Sequence, residues 1–305
     1  MIKYAVIDIG SNSIKMSLAT IVKGGYTIDR LYKKPLRLLQ PGGAKIHATE
    51  IEQLLSIMLY FQQEIQIYKC AYKAMATSAL RDAVNQLDVI KQIKKHTGLQ
   101  IEVIGGDQEA FLVRQAHQYL FDMQMGRHII FDIGGGSMEC IEVKEGRSVF
   151  QNSLTLGALR IKKMFPGETC KRKVIEEVRV TIQQQLKMQK IPQSLGKARI
   201  YISGGNPSAV SKISLLHHQL HYQDLHKQDI YLQELYQTML DIRKYSPEKI
   251  SKRYAIKPHR SDLAVPTAVL ICAILDYVEA DYYTLARTGI REGEIITKMK
   301  AISKP

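Results

Sequence analysis

Residues 5–16 read AVIDIGSNSIKM and residues 129–140 read IIFDIGGGSMEC. In both, an apolar run of strand character ends in Asp-Ile-Gly, and a serine follows. Asp8, Gly10 and Ser13 therefore match Asp132, Gly134 and Ser137. A glycine turn after a strand lets successive backbone amides converge without side-chain obstruction, and that concavity suits phosphate oxygens. The serine adds a hydroxyl donor, and an aspartate at the strand end can hold Mg²⁺ directly or through water. A single loop of this kind is most often only a tight turn. Two copies at matching offsets, in a chain with no other evident repeat, point to two units of related build.

The flanking patterns are α/β. Residues 4–9, 17–21 and 26–32 read as strands, the last two joined at Gly24-Gly25. A helix is expected over 49–67, capped by Thr49, with Ile51, Leu54, Leu55, Met58, Leu59 and Tyr60 as its apolar face. AYKAMATS (71–78) returns to strand, and LDVIKQIKKHTG (87–98) is helical and closed by Gly98. LQIEVIGG (99–106) is a strand into a glycine turn, and Asp107 opens the next helix. After Gly126 the order restarts: strand to Asp132, glycine loop, strand 138–143, turn at Glu145-Gly146, strand 148–153. Helices follow around 172–190 and 232–243, and 263–299 reads helix, strand, helix. The expected domains are 1–124 and 125–290, with a closing helix of about 291–305 as a candidate to pack back on the first.

Composition narrows the function class. The longest apolar stretch, LAVPTAVLICAIL (263–275), is too short for a membrane span and reads as a core helix, and no secretory signal opens the chain. Cys70, Cys140, Cys170 and Cys272 are scattered without metal-ligand spacing, as in a reduced, cytoplasmic protein. The net charge of +14, from 43 Lys and Arg against 29 Asp and Glu, suits an anionic partner. A nucleic-acid partner is disfavoured, because no aromatic-rich basic stretch and no basic arm occur. Nothing calls for a membrane partner, and a homodimer is left open. LLHHQLHYQDLH (215–226) holds four histidines without the carboxylate-supported spacing of a metal helix, and reads as a polar helix or linker.

Neither nucleotide-binding fingerprint, G-x-x-x-x-G-K-[ST] or G-x-G-x-x-G, is present. Duplicated D-x-G loops heading two domains resemble the actin, Hsp70 and sugar-kinase superfamily. There, two ribonuclease-H-like domains close on a phosphorylated ligand. The two loops occur in order with ATSALRDAVN (76–85), VIGGDQEAFLV (103–113), SLTLGALRI (153–161), ISGGNPSAV (202–210) and TGIREGEI (288–295). The ordered set spans almost the whole chain and resembles the exopolyphosphatase and guanosine pentaphosphate phosphohydrolase family. The implied fold is two ribonuclease-H-like α/β domains with a cleft between them. The implied activity is Mg²⁺-dependent hydrolysis of a terminal phosphoanhydride. Longer members carry an additional helical HD-type domain. This chain resembles the short form and contains no His-Asp dipeptide.

The resemblance also assigns residues. The glutamate before alanine in the family's SGEEA motif matches Glu109, implied as the general base that takes a proton from attacking water. From local sequence alone, Glu109 is an ordinary first-turn glutamate favoured by the helix dipole. Asp8, Asp132 and Glu139 become Mg²⁺ candidates. Gly10, Ser11, Asn12, Ser13, Gly134, Gly135, Gly136 and Ser137 become phosphate donors. Ser203, Gly204, Gly205 and Asn206 form a third phosphate-type turn before a helix that Pro207 can start. Arg81 is either a phosphate contact or a solvent-facing partner of Asp82. Arg260 and Arg291 fit family-like positions. Arg291 is alternatively a helix ion pair with Glu292, and Arg260 closes a loose basic segment with Lys252, Arg253, Lys257 and His259. The chain departs from the motif at Gly105 (usually serine), Gln108 (often glutamate) and Asn206 (commonly threonine).

The first expectation is therefore an exopolyphosphatase acting on inorganic polyphosphate. The second is a guanosine pentaphosphate phosphohydrolase, with guanosine penta- or tetraphosphate as ligand. A non-catalytic polyphosphate or alarmone sensor stands as a rival, motivated by the three departures. A sugar or acetate kinase is a weaker fourth.

Overall fold

The computed structural model describes residues 1–39, 44–165, 171–192 and 198–303. Cys170 and the last two residues of the expected closing helix lie outside the described residues. The chain divides into two compact units, Met1–Phe121 with Thr288–Pro305, and Asp122–Arg287.

The first unit opens with β1 (Ile2–Ile9), β2 (Ser13–Val22) and β3 (Gly25–Pro35), an antiparallel meander. Helix α1 (Ala48–Tyr68) buries Leu54, Met58, Phe61 and Ile65, one per turn, against the sheet core. Its cap position is His47, so Thr49 falls inside the first turn rather than before it. β4 (Ala71–Ala76) returns parallel to β1. Two helices follow, α2 (Ser78–Arg81) and α3 (Gln86–Thr97), the second closed by Gly98 at φ 72° as its sequence demanded. β5 (Glu102–Val103) pairs with β4 over two residues only, so the expected longer strand is mostly connection. Helix α4 (Gly106–Leu120) completes this part. The sheet order is β3-β2-β1-β4-β5, that of a ribonuclease-H-like domain.

The second unit repeats the plan. β6 (Arg127–Ile133), β7 (Met138–Lys144) and β8 (Arg147–Leu154) form an antiparallel meander. Helices α5 (Ala158–Lys162) and α6 (Arg172–Met188) precede β9 (Arg199–Ser203), which runs parallel to β6. Then come α7 (Gly205–His217), β10 (Asp229–Tyr231), α8 (Leu232–Ile242), α9 (Pro247–Tyr254), α10 (Pro258–Ser261), α11 (Ala264–Tyr277) and β11 (Tyr282–Ala286). The order β8-β7-β6-β9-β11 matches the first sheet, with antiparallel β10 added at the edge. The apolar run expected as a core helix is α11, buried on nearly every side among α5, α6, α7 and α8. Among the described residues no helix is long and apolar enough to cross a membrane.

Helix α12 (Ile290–Ser303) ends the chain and packs on β1, β2, β3 and α4, all of the first unit.

Candidate functional site

In the first unit, Asp8 lies opposite Lys15 and Ile9 opposite Ile14 across β1 and β2, so residues 10–13 must make the turn. Asp8 is buried, and Lys15 Nζ donates to its Oδ2 at 3.3 Å. A Cβ on Gly10 would stand 3.2 Å from the Ser13 carbonyl oxygen, so a side chain there would push the turn apart by a few tenths of an ångström. Ser13 and Asn12 are buried, and Asn12 Oδ1 accepts from Arg37 Nε at 2.8 Å. Ser11 Oγ lies 3.0 Å from Ser78 Oγ, joining this loop to the start of α2. The Thr77 amide donates to Ile9 O at 3.2 Å, and Ile104 N donates to Ala76 O at 3.0 Å. Loop 10–13, α2 and the start of α4 thus gather at the carboxyl ends of the parallel strands β1, β4 and β5, where open α/β sheets bind ligands.

Glu109 sits in the first turn of α4, on the face that also buries Ala110, Leu112 and Val113. It is 4% exposed, whereas the neighbouring Gln108 is exposed. Arg81 Nη1 donates to Glu109 Oε1 at 2.5 Å and to Ile104 O at 2.8 Å. Asp82 is the more distant partner of Arg81, at 3.8 Å. Arg81 is thus half-buried and shared between Glu109 and Asp82. It fixes the carboxylate, and a charge-assisted hydrogen bond gives it a defined direction. Gly105 precedes α4 with no side-chain cap, and a Cβ there would meet nothing within 4 Å.

In the second unit the loop geometry recurs. The Gly134 amide donates to Ser137 O at 3.0 Å, and a Cβ on Gly134 would stand 3.1 Å from that oxygen. Asp132 lies opposite Glu139 in β7 and beside Ser203 in β9, whose Oγ donates to Asp132 Oδ1 at 2.5 Å. Glu139 is 2% exposed, and its Oε1 accepts from Ser153 Oγ at 2.9 Å. Lys15 and Glu139 are therefore equivalent positions of the repeat, one completing an ion pair with Asp8 and the other facing Asp132 with like charge. Opposed carboxylates on one face of a sheet repel, and a divalent cation relieves that. Among the described residues no group of three or more His, Cys, Asp or Glu converges. A pair fits Mg²⁺, which commonly takes one or two carboxylates and fills its shell with phosphate and water oxygens.

The sequence motifs did not assign roles to the residues that brace these loops. Gly157 is one: a Cβ there would overlap the backbone of Gly135 and Gly136. Past it, Ala158 N donates to Gly134 O at 3.1 Å, Leu159 N to Gly135 O at 2.9 Å and Arg160 Nε to Gly136 O at 2.7 Å. The segment LGALR thus occupies the loop's carbonyls, while the amides of Gly135, Gly136 and Ser137 take no part in these bonds.

The third turn, 203–206, holds together with the second. Gly204 adopts φ +116°, and a Cβ there would also overlap Ile133 O. Helix α7 starts at Gly205, so Pro207 lies in its first turn rather than at its start. A side chain on Gly205 would strike the guanidinium of Arg260, which comes from α10. Arg260 is 8% exposed, not part of a solvated face, and Nη1 donates to Asn206 Oδ1 at 3.4 Å. No carboxylate pairs with it among the described residues, and burial pulls its pKa below the ordinary guanidinium range, to about 10. A buried cation opposed only by an amide oxygen, above a helix N-terminus, is arranged for an anion. Lys252 and Arg253 occupy the last turn of α9 and are exposed.

Three of the four histidines, His217, His218 and His226, are otherwise engaged. His217 contacts Tyr254 OH at 2.8 Å and Asp241 Oδ2 at 3.1 Å, and His218 Nε2 contacts Glu234 O at 2.9 Å. His226 Nδ1 accepts from the Arg287 amide at 3.2 Å. Arg291 pairs with Glu292 at 3.5 Å, as one alternative held, and donates to Ser17 Oγ at 2.6 Å.

A model of the Ppx/GppA phosphatase family matches residues 27–302. Exopolyphosphatase 1 of Mycobacterium tuberculosis is 32% identical over 163 residues, covering 52% of this chain and 47% of that protein. A bifunctional 3-dehydroquinate synthase/phosphatase of Fusobacterium nucleatum is 25% identical over 307 residues, covering 96% of this chain and 46% of that protein. The chain thus spans about half the length of the curated relatives it matches. Among solved structures, the Aquifex aeolicus Ppx/GppA family member aligns with a TM-score of 0.83 at 21% identity, covering 100% of this chain and 99% of that one. An exopolyphosphatase from Cytophaga hutchinsonii aligns with a TM-score of 0.85 at 20% identity, covering 98% of each chain. At these identities the likeness establishes the fold.

Proposed function

This chain belongs to the Ppx/GppA phosphatase family, and on that premise we propose that it hydrolyses the terminal phosphoanhydride of inorganic polyphosphate, releasing orthophosphate. The observation that carries the proposal is Glu109, a buried carboxylate tethered by Arg81 one short helix away from the Ser11 loop. In this reading Glu109 accepts the proton of the attacking water, and Arg81 holds the carboxylate in register for that transfer. In the first unit the amides of loop 10–13 and the Ser13 hydroxyl would receive phosphate oxygens, and in the second the amides of loop 134–137 and the Ser137 hydroxyl would do the same. Arg260, with Asn206 and the start of α7, offsets the charge of a further phosphate group. Asp132 and Glu139 would hold a divalent cation, which when bound supplies charge neutralisation along the anhydride. Asp8 is held by Lys15 and takes a supporting part. The surplus of basic residues favours a long polyanion over a compact nucleotide.

Two of the departures that motivate a non-catalytic sensor weigh little in place. Gln108 is exposed beside the buried Glu109, and Gly105 leaves open space rather than a distorted cap. The deciding experiment is a phosphate-release panel on polyphosphates of several lengths and on guanosine pentaphosphate, with Mg²⁺ or with a chelator. Turnover of long polyphosphate that needs the cation, and that falls on the order of 10²- to 10⁴-fold in Glu109→Gln, supports the proposal. Faster release from guanosine pentaphosphate moves the substrate to the nucleotide, and binding without release makes the protein a sensor.

A further inference from the structure

The TGIREGEI segment supplies no atom to the chemistry above, yet it contains a close backbone approach between two helices of the first unit. Gly293 of α12 lies against the Leu112 carbonyl of α4, and a Cβ there would overlap the O, C and Cα atoms of Leu112. Leu112 follows Glu109 by one helical turn, on the same buried face. We propose that Gly293 is a positioning residue: by admitting α4 into contact with the α12 backbone, it sets where the first turn of α4, and hence Glu109, comes to rest. The inference rests on the reading of Glu109 as the base.

The direction in which strain would be released decides the argument. Helix α12 is anchored to the sheet on both sides of Gly293. Arg291 Nη1 donates to Ser17 Oγ of β2 at 2.6 Å, and Tyr4 OH of β1 donates to Glu294 Oε1 at 2.8 Å. Lys300 Nζ adds a bond to Gln115 Oε1 of α4 at 2.6 Å, further along the crossing. The start of α4, by contrast, has no side-chain cap and is held to the sheet through the backbone bond of Ile104 to Ala76 and through Arg81. A methyl group at position 293 therefore displaces α4 before it displaces α12. The displacement reaches Glu109 while Arg81 stays bonded to Ile104 O, so the carboxylate and its partner move out of register.

The test is steady-state turnover of long-chain polyphosphate by the full chain, with kcat and KM measured separately. The variants are Gly293→Ala, Tyr4→Phe, Glu109→Gln and the doubles that combine either of the first two with Glu109→Gln. A misplacement of roughly 1 Å is expected to lower kcat on the order of 10²-fold in Gly293→Ala, with KM changed little. Tyr4→Phe, which loosens one anchor of α12, is expected to lower kcat about tenfold. On the Glu109→Gln background neither change should lower kcat further, because both act through the carboxylate already removed. An equal drop on both backgrounds, a loss carried by KM, or an unchanged kcat overturns the proposal. If Gly293→Ala does not fold, as judged by circular dichroism, the Tyr4→Phe pair decides by the same criteria. Full turnover in Glu109→Gln alone refutes the base assignment instead, and is read independently of either α12 variant.

Discussion

Replacing Arg260 by methionine should make the ligand-free protein more stable and the enzyme worse. Arg260 is 8% exposed, and its guanidinium lacks a carboxylate partner among the described residues. Burial alone lowers its pKa to about 10, a penalty on the charged form of about 3 kcal/mol. The Asn206 bond, at 3.4 Å, returns about 0.5–1 kcal/mol of that. Methionine keeps much of the apolar stem and drops the charge, so the net expectation is about 2 kcal/mol of added stability. For a unit of this size that is roughly 4–8 °C in Tm. The assay is thermal unfolding with and without tripolyphosphate, beside phosphate release. Wild type should gain stability on adding the anion, because the ligand supplies the missing negative charge. Arg260→Met should start higher, gain little, and show a raised KM. A lower Tm for ligand-free Arg260→Met, or an equal gain from tripolyphosphate in both proteins, would refute the claim that Arg260 is held as an uncompensated cation.

Three further outcomes are expected. Gly157→Ala places a methyl group into the Gly135–Gly136 backbone, so it should cost about 1–3 kcal/mol in urea unfolding and lower kcat/KM at least about tenfold; wild-type kinetics would show that the glycine loop does not depend on its brace. Gly105→Ser enters open space at a cap position with φ −80°, and should stabilise by about 0.5–1 kcal/mol, read as a higher urea midpoint; a lower midpoint counts against the cap geometry. Burial raises the pKa of Glu294 above its ordinary 4.5 despite the Tyr4 hydroxyl, so the folded protein keeps that proton after the unfolded chain has released it. Stability should therefore decline as pH rises from about 4.5 through the raised folded value, and Glu294→Gln should flatten that decline in a pH series of urea midpoints.

What the sequence revealed and what it hid divide along a physical line. The two D-I-G loops were legible because their requirement is local: each glycine must clear the carbonyl of a serine three residues on, within one turn. The repeat carried further than that, since aligning Asp8 with Asp132 already sets Lys15 against Glu139, and the strand register puts each opposite its aspartate. Helix α9 was legible too, because Ser246 followed by Pro247 is a helix-start signal just ahead of the basic segment 252–260. Arg260 is different. Lys257, His259 and Arg260 look alike in the sequence, and only Gly205, brought from another segment, makes one of them a buried cation. Gly157 and Gly293 share that property, each small because of a backbone many residues away, Gly135 in one case and Leu112 in the other. Groups that touch a ligand sit on turns whose geometry is written in consecutive residues. Groups that aim them are chosen by distant backbone, so a single sequence shows the donors before it shows what holds them.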